Sequence, residues 1–261
     1  MSKTAELIHK LRANNEPVLI GYFPAGYPDL EKSIQACLTM LDAGVDILEL
    51  GVPYSDPVMD GLVIQEATES ALSNGFKLPQ IFDVVRGIKE KSNKPVLVMS
   101  YWNPVMQYGV DRFARDLQMS GAEGLITPDL IPDEATAWLA ISDELDLDRV
   151  FMATPSSSQL RLDKAAELSR GFVYAVSTMG ITGAREDLDA KARAVVSGVR
   201  AAGGETPVCV GIGISSGEQV AEVNSYSDGA IVGSALIKAF NEGGLELLRE
   251  TVIKLKAGAQ N

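Results

Sequence analysis

The sequence predicts an α/β fold, a (β/α)8 TIM barrel with an N-terminal lead-in helix and extra helices. Three observations carry that expectation. Eight short apolar runs alternate with stretches of helical periodicity along the chain. No linker or low-complexity stretch divides them, so residues 1–261 are expected to form one domain, an ordinary size for such a barrel. The phrases Ala43-Gly44-Val45-Asp46, Ser120-Gly121-Ala122-Glu123 and Ser227-Asp228-Gly229-Ala230 recur ahead of strands. Each is read as a helix-to-strand turn with glycine in the left-handed C-cap. A doubly wound open sheet is the competing layout, but the glycine fingerprint it needs after strand one is absent.

Residues 2 to 14 read as an amphipathic lead-in helix, with Leu7, Ile8 and Leu11 at helical spacing. Val18 to Phe23 is strand one, ended by Pro24, Gly26 and Pro28. Asp29 caps a helix through about Leu41, and Gly44 closes it. Strand two starts at Asp46 and ends in Glu49-Leu50-Gly51, and alternation puts Ile47 and Glu49 on one face, Leu48 and Leu50 on the other. A loop rich in Gly, Pro, Ser and Asp carries the chain to Asp60 and Gly61. A helix from about Val63 to Leu72 follows, and an extra helix, Pro79 to Glu90, precedes strand three, Pro95 to Tyr101. Phe113 to Met119 is the next helix, and Gly124 to Asp129 the fourth strand and its mouth. Asp133 is expected to cap a helix reaching Leu145. Arg149 to Ala153 is strand five, Leu160 to Leu168 a helix, and Phe172 to Val176 strand six. A loop over 177–187 leads into a helix ending near Ala202. Pro207 to Gly211 is strand seven, Glu218 to Val223 a helix, and Gly229 to Val232 strand eight. The tail, Leu236 to Lys256, is helical with a break at Gly243-Gly244.

A net charge of -12 argues against nucleic-acid or anionic-membrane partners, which want a basic face. With no opening signal peptide and no apolar run of membrane-spanning length, the expected setting is cytoplasmic. Cys37 and Cys209 belong to no metal spacing or redox pair and read as buried thiols. His9, the single histidine, lies in the lead-in helix, so no zinc constellation arises and no metal is expected. No lysine occupies a strand end, which disfavours a Schiff base.

In this fold the chemistry sits at the C-terminal strand ends. Those ends supply Tyr22, Glu49, Asp60, Tyr101, Asp129, Tyr174, Gly211 with Gly213, and Gly233 with Ser234. The glycine turns after strands seven and eight are the usual phosphate position of such barrels. The site is expected to hold phosphate by backbone donors instead of basic side chains. Tyr22, Phe23, Tyr101 and Tyr174 are candidates to line a pocket for a flat apolar group. The stretch Ser177 to Arg185 reads as a lid, from which Thr182 would reach Asp60 and Gly183 would add an N–H to the phosphate. Two carboxylates in unlike surroundings, Glu49 and Asp60, point to acid/base work on a phosphorylated compound.

Glu49-Leu-Gly-Val-Pro-Tyr-Ser-Asp-Pro with Asp60-Gly61, then Gly180-Ile-Thr-Gly183, Gly211-Ile-Gly213 and Val232-Gly-Ser-Ala, together resemble the tryptophan synthase alpha subunit family over essentially the whole chain. The resemblance implies retro-aldol cleavage of indole-3-glycerol phosphate to indole and glyceraldehyde 3-phosphate. It assigns Glu49 as general acid/base and Asp60 as acceptor of the indole N–H. Tyr174 becomes a further active-site tyrosine, and Gly183, Gly213, Gly233 and Ser234 become phosphate ligands. It also implies a beta subunit in an alpha2-beta2 complex, met through the loop Pro53 to Met59. Pyridoxal phosphate is then expected only on that partner. Leu62 departs from the family, which usually has proline after Asp-Gly. Tyr54 and Met59 are milder variations. A subunit that only activates its partner, and a free-standing indole-releasing lyase, are the competing roles.

Overall fold

The eight strands pair in parallel with their neighbours in sequence, and the last returns to the first to close a barrel. The structure, a computed structural model, describes residues 2–176, 185–211 and 213–259. The strands are β1 (Leu19–Pro24), β2 (Ile47–Gly51), β3 (Val96–Met99), β4 (Gly124–Thr127), β5 (Asp148–Ala153), β6 (Val173–Val176), β7 (Val208–Gly211) and β8 (Gly229–Val232). Around them run α1 (Lys3–Ala13), α2 (Leu30–Ala43), α3 (Leu62–Ser73), α4 (Gln80–Lys89), α5 (Trp102–Tyr108) and α6 (Val110–Ser120). The second half adds α7 (Thr136–Glu144), α8 (Gln159–Leu168), α9 (Arg185–Arg200), α10 (Gly217–Tyr226) and α11 (Ser234–Gly258). Among the described residues no helix is long and apolar enough to cross a membrane.

Strand alternation divides the core in two. Ile20, Ile47, Leu97, Ile126, Val150 and Cys209 point inward and pack on one another, while Leu48, Leu50, Val96 and Val98 face the helices. Ile47 and Leu48 therefore fall on opposite faces, as the sequence pattern requires. The lead-in helix α1 belongs to the inner cluster: Ile8 is fully buried in it, with Leu7 and Leu11 packed alongside. Burying such a side chain is worth about 1.5–3 kcal/mol, enough to hold α1 as a plug in the N-terminal end of the barrel. The C-terminal mouth stays open as a cavity.

The recurring phrases serve a purpose beyond their glycines. Asp46 accepts the N–H of Leu19, Glu123 that of Val96, and Asp228 that of Val208. Each acid thus ties the foot of its own strand to the foot of the preceding one. Each also meets a cation: Lys256 on Asp46, Lys3 and Lys89 on Glu123, Arg200 on Asp228. Gly44 and Gly121 take positive φ as expected. The third phrase differs, since Gly229 is already in β8 at ordinary φ. A Cβ at Gly229 would lie 2.9 Å from the Cys209 sulfur, so close packing selects glycine there instead of a turn.

Two further expectations are corrected. Strand three ends at Met99, and α5, which sequence periodicity did not suggest, follows directly, with Pro104 tolerated in its first turn. Asp133 does not cap α7: it lies in a single 3-10 turn, Pro132–Glu134, and Ala135 is the cap. Both cysteines are free and buried, and Asp29 caps α2 by accepting the Lys32 N–H. The break at Gly243-Gly244 within α11 is present in the backbone angles.

Candidate active site

The last inward residues of the strands form the floor of a cavity of about 420 Å³, within the range of small-molecule sites. They are Tyr22 of β1, Glu49 of β2, Met99 of β3, Met152 of β5, Tyr174 of β6 and Ile231 of β8. Strand geometry explains their convergence: in the first five, one more inward step beyond the packed barrel interior puts the side chain at the mouth, and Ile231 is the top of that interior. The loop between β2 and α3 brings Met59 and Asp60 to the rim, and the turns after β7 and β8 close the opposite side.

Glu49 pairs in register with Tyr22 and is only 1% exposed. Its Oε2 is buried without a hydrogen-bond partner among the described residues. Burial, reinforced by the nearby charge of Asp60, pushes its carboxyl from the ordinary 4.5 up to about 8. Asp60 is also raised by burial, to about 6, although the Tyr101 hydroxyl opposes the shift by hydrogen bonding to its carboxylate. Near neutrality the pair therefore holds one proton, and that proton rests mainly on Glu49. A neutral acid beside an ionised one is the division of labour that acid/base sites use.

The loop bearing Asp60 is fixed at several points. Met59 donates its N–H to the Tyr101 hydroxyl at 2.9 Å, Gln65 donates to the Asp60 carbonyl at 2.8 Å, and the Tyr54 ring stacks on Tyr101 at 5.2 Å. Tyr22 and Tyr174, in the floor, have their hydroxyls held neutral by burial and by the two acids. Each tyrosine needs a glycine beside it. A Cβ at Gly51 would fall 2.2 Å from the Tyr22 hydroxyl, and one at Gly211 would fall 2.7 Å from that of Tyr174.

At the β8 end, Gly233 precedes α11 with no side-chain cap. Leu236 and Ile237 donate to the Gly233 carbonyl, and among the described residues the Ser234 and Ala235 N–H groups have no backbone acceptor. Both residues line the cavity. The β7 end differs, because Gln219 Oε1 accepts the N–H groups of Ser215 and Ser216 in a capping box at the start of α10. Donors for an anion thus lie at α11.

Eight residues singled out from the sequence line the cavity: Tyr22, Glu49, Asp60, Tyr174, Gly211, Gly213, Gly233 and Ser234. Tyr101 and Asp129 do not. Tyr101 acts on the Asp60 loop from behind, and Asp129 accepts the Trp102 N–H at 2.8 Å, pinning the start of α5. Phe23 faces outward, wholly buried against Phe240. Thr182 and Gly183 lie outside the described residues. Sequence reasoning missed Met59, Ile64, Met99, Met152 and Lys238. Alternation from Leu97 and Val150 could have found the two strand methionines. Lys238 was visible only as one helical turn beyond Ser234. Among the described residues no cluster of His, Cys, Asp and Glu is arranged to hold a metal.

The model of the family described as tryptophan synthase alpha chain matches residues 8–261. This chain belongs to that family. It is 56% identical over 259 residues to the tryptophan synthase alpha chain of Leifsonia xyli, covering 99% of each. It is 51% identical to that of Mycobacterium marinum, covering 99% of this chain and 95% of the relative. Among solved structures, a Mycobacterium tuberculosis tryptophan synthase chain superposes with a TM-score of 0.93 at 49% identity, with 100% of this chain and 99% of that one covered. The family reaction is the lyase step of tryptophan biosynthesis, which cleaves indole-3-glycerol phosphate to indole and glyceraldehyde 3-phosphate. The indole passes to a beta subunit.

Proposed function

We propose that Glu49 and Asp60 perform this cleavage, with the indole ring between the two carboxyls and the phosphate at the start of α11. The observation that carries the proposal is Glu49 itself, an almost wholly buried acid with an unpartnered oxygen, kept protonated near neutrality next to an ionised Asp60.

Glu49 donates its proton to indole C3, and the ring nitrogen takes up the positive charge. Asp60 accepts the indole N–H and stabilises that charge as it develops. Glu49, now a carboxylate, takes the proton of the glycerol hydroxyl. The bond from C3 to the side chain breaks, its electron pair returns to the ring, and an aldehyde forms on the departing fragment. The proton account closes on Glu49, which ends as it began. The protonated ring is the electron sink, so the reaction needs neither metal nor cofactor on this chain; pyridoxal phosphate belongs on the beta subunit. Tyr22 and Tyr174 bound the ring, Tyr101 positions Asp60, and Asp129 supports α5. Thr182, Gly183, Gly211, Gly213, Gly233 and Ser234 complete the assignment.

The proposal extends to one domain over 1–261, an alpha2-beta2 complex and a cytoplasmic setting. Val58 and Leu62, 77% and 67% exposed on the Asp60 loop and its helix, suit a partner-facing surface. Indole release from indole-3-glycerol phosphate, measured with and without the beta subunit, tests the proposal. Release that needs both Glu49 and Asp60 supports it, and release that survives loss of either acid overturns it.

A further inference from the structure

The cavity wall poses an electrostatic problem for the substrate. Its two ionisable acids, Glu49 and Asp60, are set in a chain of net charge -12, yet the molecule to be bound carries a phosphate. The backbone donors at Ser234 and Ala235 supply the equivalent of roughly half a positive charge at the start of α11, which leaves most of a dianion's charge unbalanced. One lysine stands where a balancing charge is needed. Lys238 lines the same cavity and is the single Lys or Arg lining it among the described residues. It lies four positions after Ser234 on α11, so the two share a helix face, and a helical side chain leans back toward the N-terminus. Its ammonium has no salt-bridge partner among the described residues, whereas Lys3, Lys89, Arg200 and Lys256 at the strand feet are each paired.

We infer that Lys238 is the counter-charge of the substrate phosphate and selects its dianionic form. The inference rests on the phosphate placement proposed above and corrects the expectation of a site made of backbone alone. In the absence of substrate the ammonium is solvated at the rim. When a phosphate seats on the Ser234 and Ala235 N–H groups, Lys238 covers its outer oxygens, away from Glu49 and Asp60. The second ionisation of a phosphate ester falls near pH 6, so a lysine contact makes affinity rise through that pH. Because the charge lies remote from the reacting carbon, it binds substrate and transition state alike and lowers KM without raising kcat.

The test uses the full chain with its beta subunit, Lys238→Gln and Lys238→Arg. Loss of the lysine should raise KM for indole-3-glycerol phosphate roughly tenfold, a charge-assisted contact discounted for solvent at the rim. The value of kcat should stay within about twofold, and arginine should restore most of the loss. Glycerol phosphate binding, followed by calorimetry from pH 5 to 8, should tighten with pH in the parent and lose most of that slope in Lys238→Gln. Indole, which carries no charge, should bind both equally. An unchanged slope, or a parallel loss of indole affinity, overturns the inference. If the parent binds glycerol phosphate but releases no indole, the proposed function fails while the calorimetry still decides the role of Lys238.

Discussion

Replacing Glu49 with glutamine removes the proton donor and also a source of instability, and the two effects can be read separately. The folded chain holds the Glu49 proton up to about pH 8, whereas a free glutamate loses it at 4.5. A carboxyl raised in this way contributes no penalty below 4.5. Stability is lost as pH rises through the window from 4.5 to about 8 and then levels off. At about 1.4 kcal/mol per pKa unit, ionising this group in place costs on the order of 5 kcal/mol. Between pH 5 and pH 9 the cost grows by about 4 kcal/mol, of which the nearby Asp60 charge supplies a part. Glutamine keeps the shape and never ionises. Urea unfolding at the two pH values should therefore show the variant gaining on the parent by about 4 kcal/mol at the higher one. Indole release by the variant should fall by roughly 10²–10⁴-fold or more, because one residue carries more than one proton transfer. A stability difference independent of pH would refute the buried, protonated state of Glu49. Turnover near that of the parent would refute its role.

Asp60→Asn should lower kcat more than it raises KM, because the charge that Asp60 stabilises appears mainly in the transition state; steady-state kinetics on the complex would show the split. Leu62→Pro should stabilise the chain by roughly 0.4–1 kcal/mol in thermal or urea unfolding. Gly61 already has the extended φ of -74° and ψ of 161° that suit a residue before proline, and among the described residues the Leu62 N–H makes no backbone hydrogen bond that would be lost. The same change should raise indole release more without the beta subunit than with it, since a bound partner already orders the Asp60 loop. Gly233→Ala should fold with little change in melting temperature, because the new Cβ meets Tyr22 at an ordinary 3.4 Å. Its methyl stands beside the anion seat, so KM for the substrate should rise.

Much of this was legible because periodicity and caps are local. The inward Ile47 and Glu49, the Asp29 cap and the Gly243-Gly244 break each follow from a few neighbouring residues. What was not legible depended on residues distant in sequence. Whether Tyr101 lines the cavity or braces Asp60 is decided by a loop forty positions away, through the Met59 N–H. Asp129 appeared to be a mouth residue because it ends a strand, yet its acceptor is spent on Trp102. Gly211 looked like part of an anion cradle, and the structure adds a second demand, the room taken by Tyr174. Helix α5 was hidden by Pro104, which reads as a breaker unless it falls in a first turn. Lys238 is not legible from strand ends, because it lies one helical turn beyond Ser234 on α11.

The central claim is that a protonated Glu49 starts the reaction, and the high-pH limb of kcat/KM for indole release tests it most directly. That limb reports the free enzyme's essential acid. The low-pH limb is less decisive, since Asp60 at about 6 and the substrate phosphate titrate together there. With Glu49 as the acid, kcat/KM should fall tenfold per pH unit above a midpoint near 8. A profile that stays level or keeps rising from pH 7 to about pH 10 would contradict the account, because Glu49 would then be ionised while the reaction proceeds.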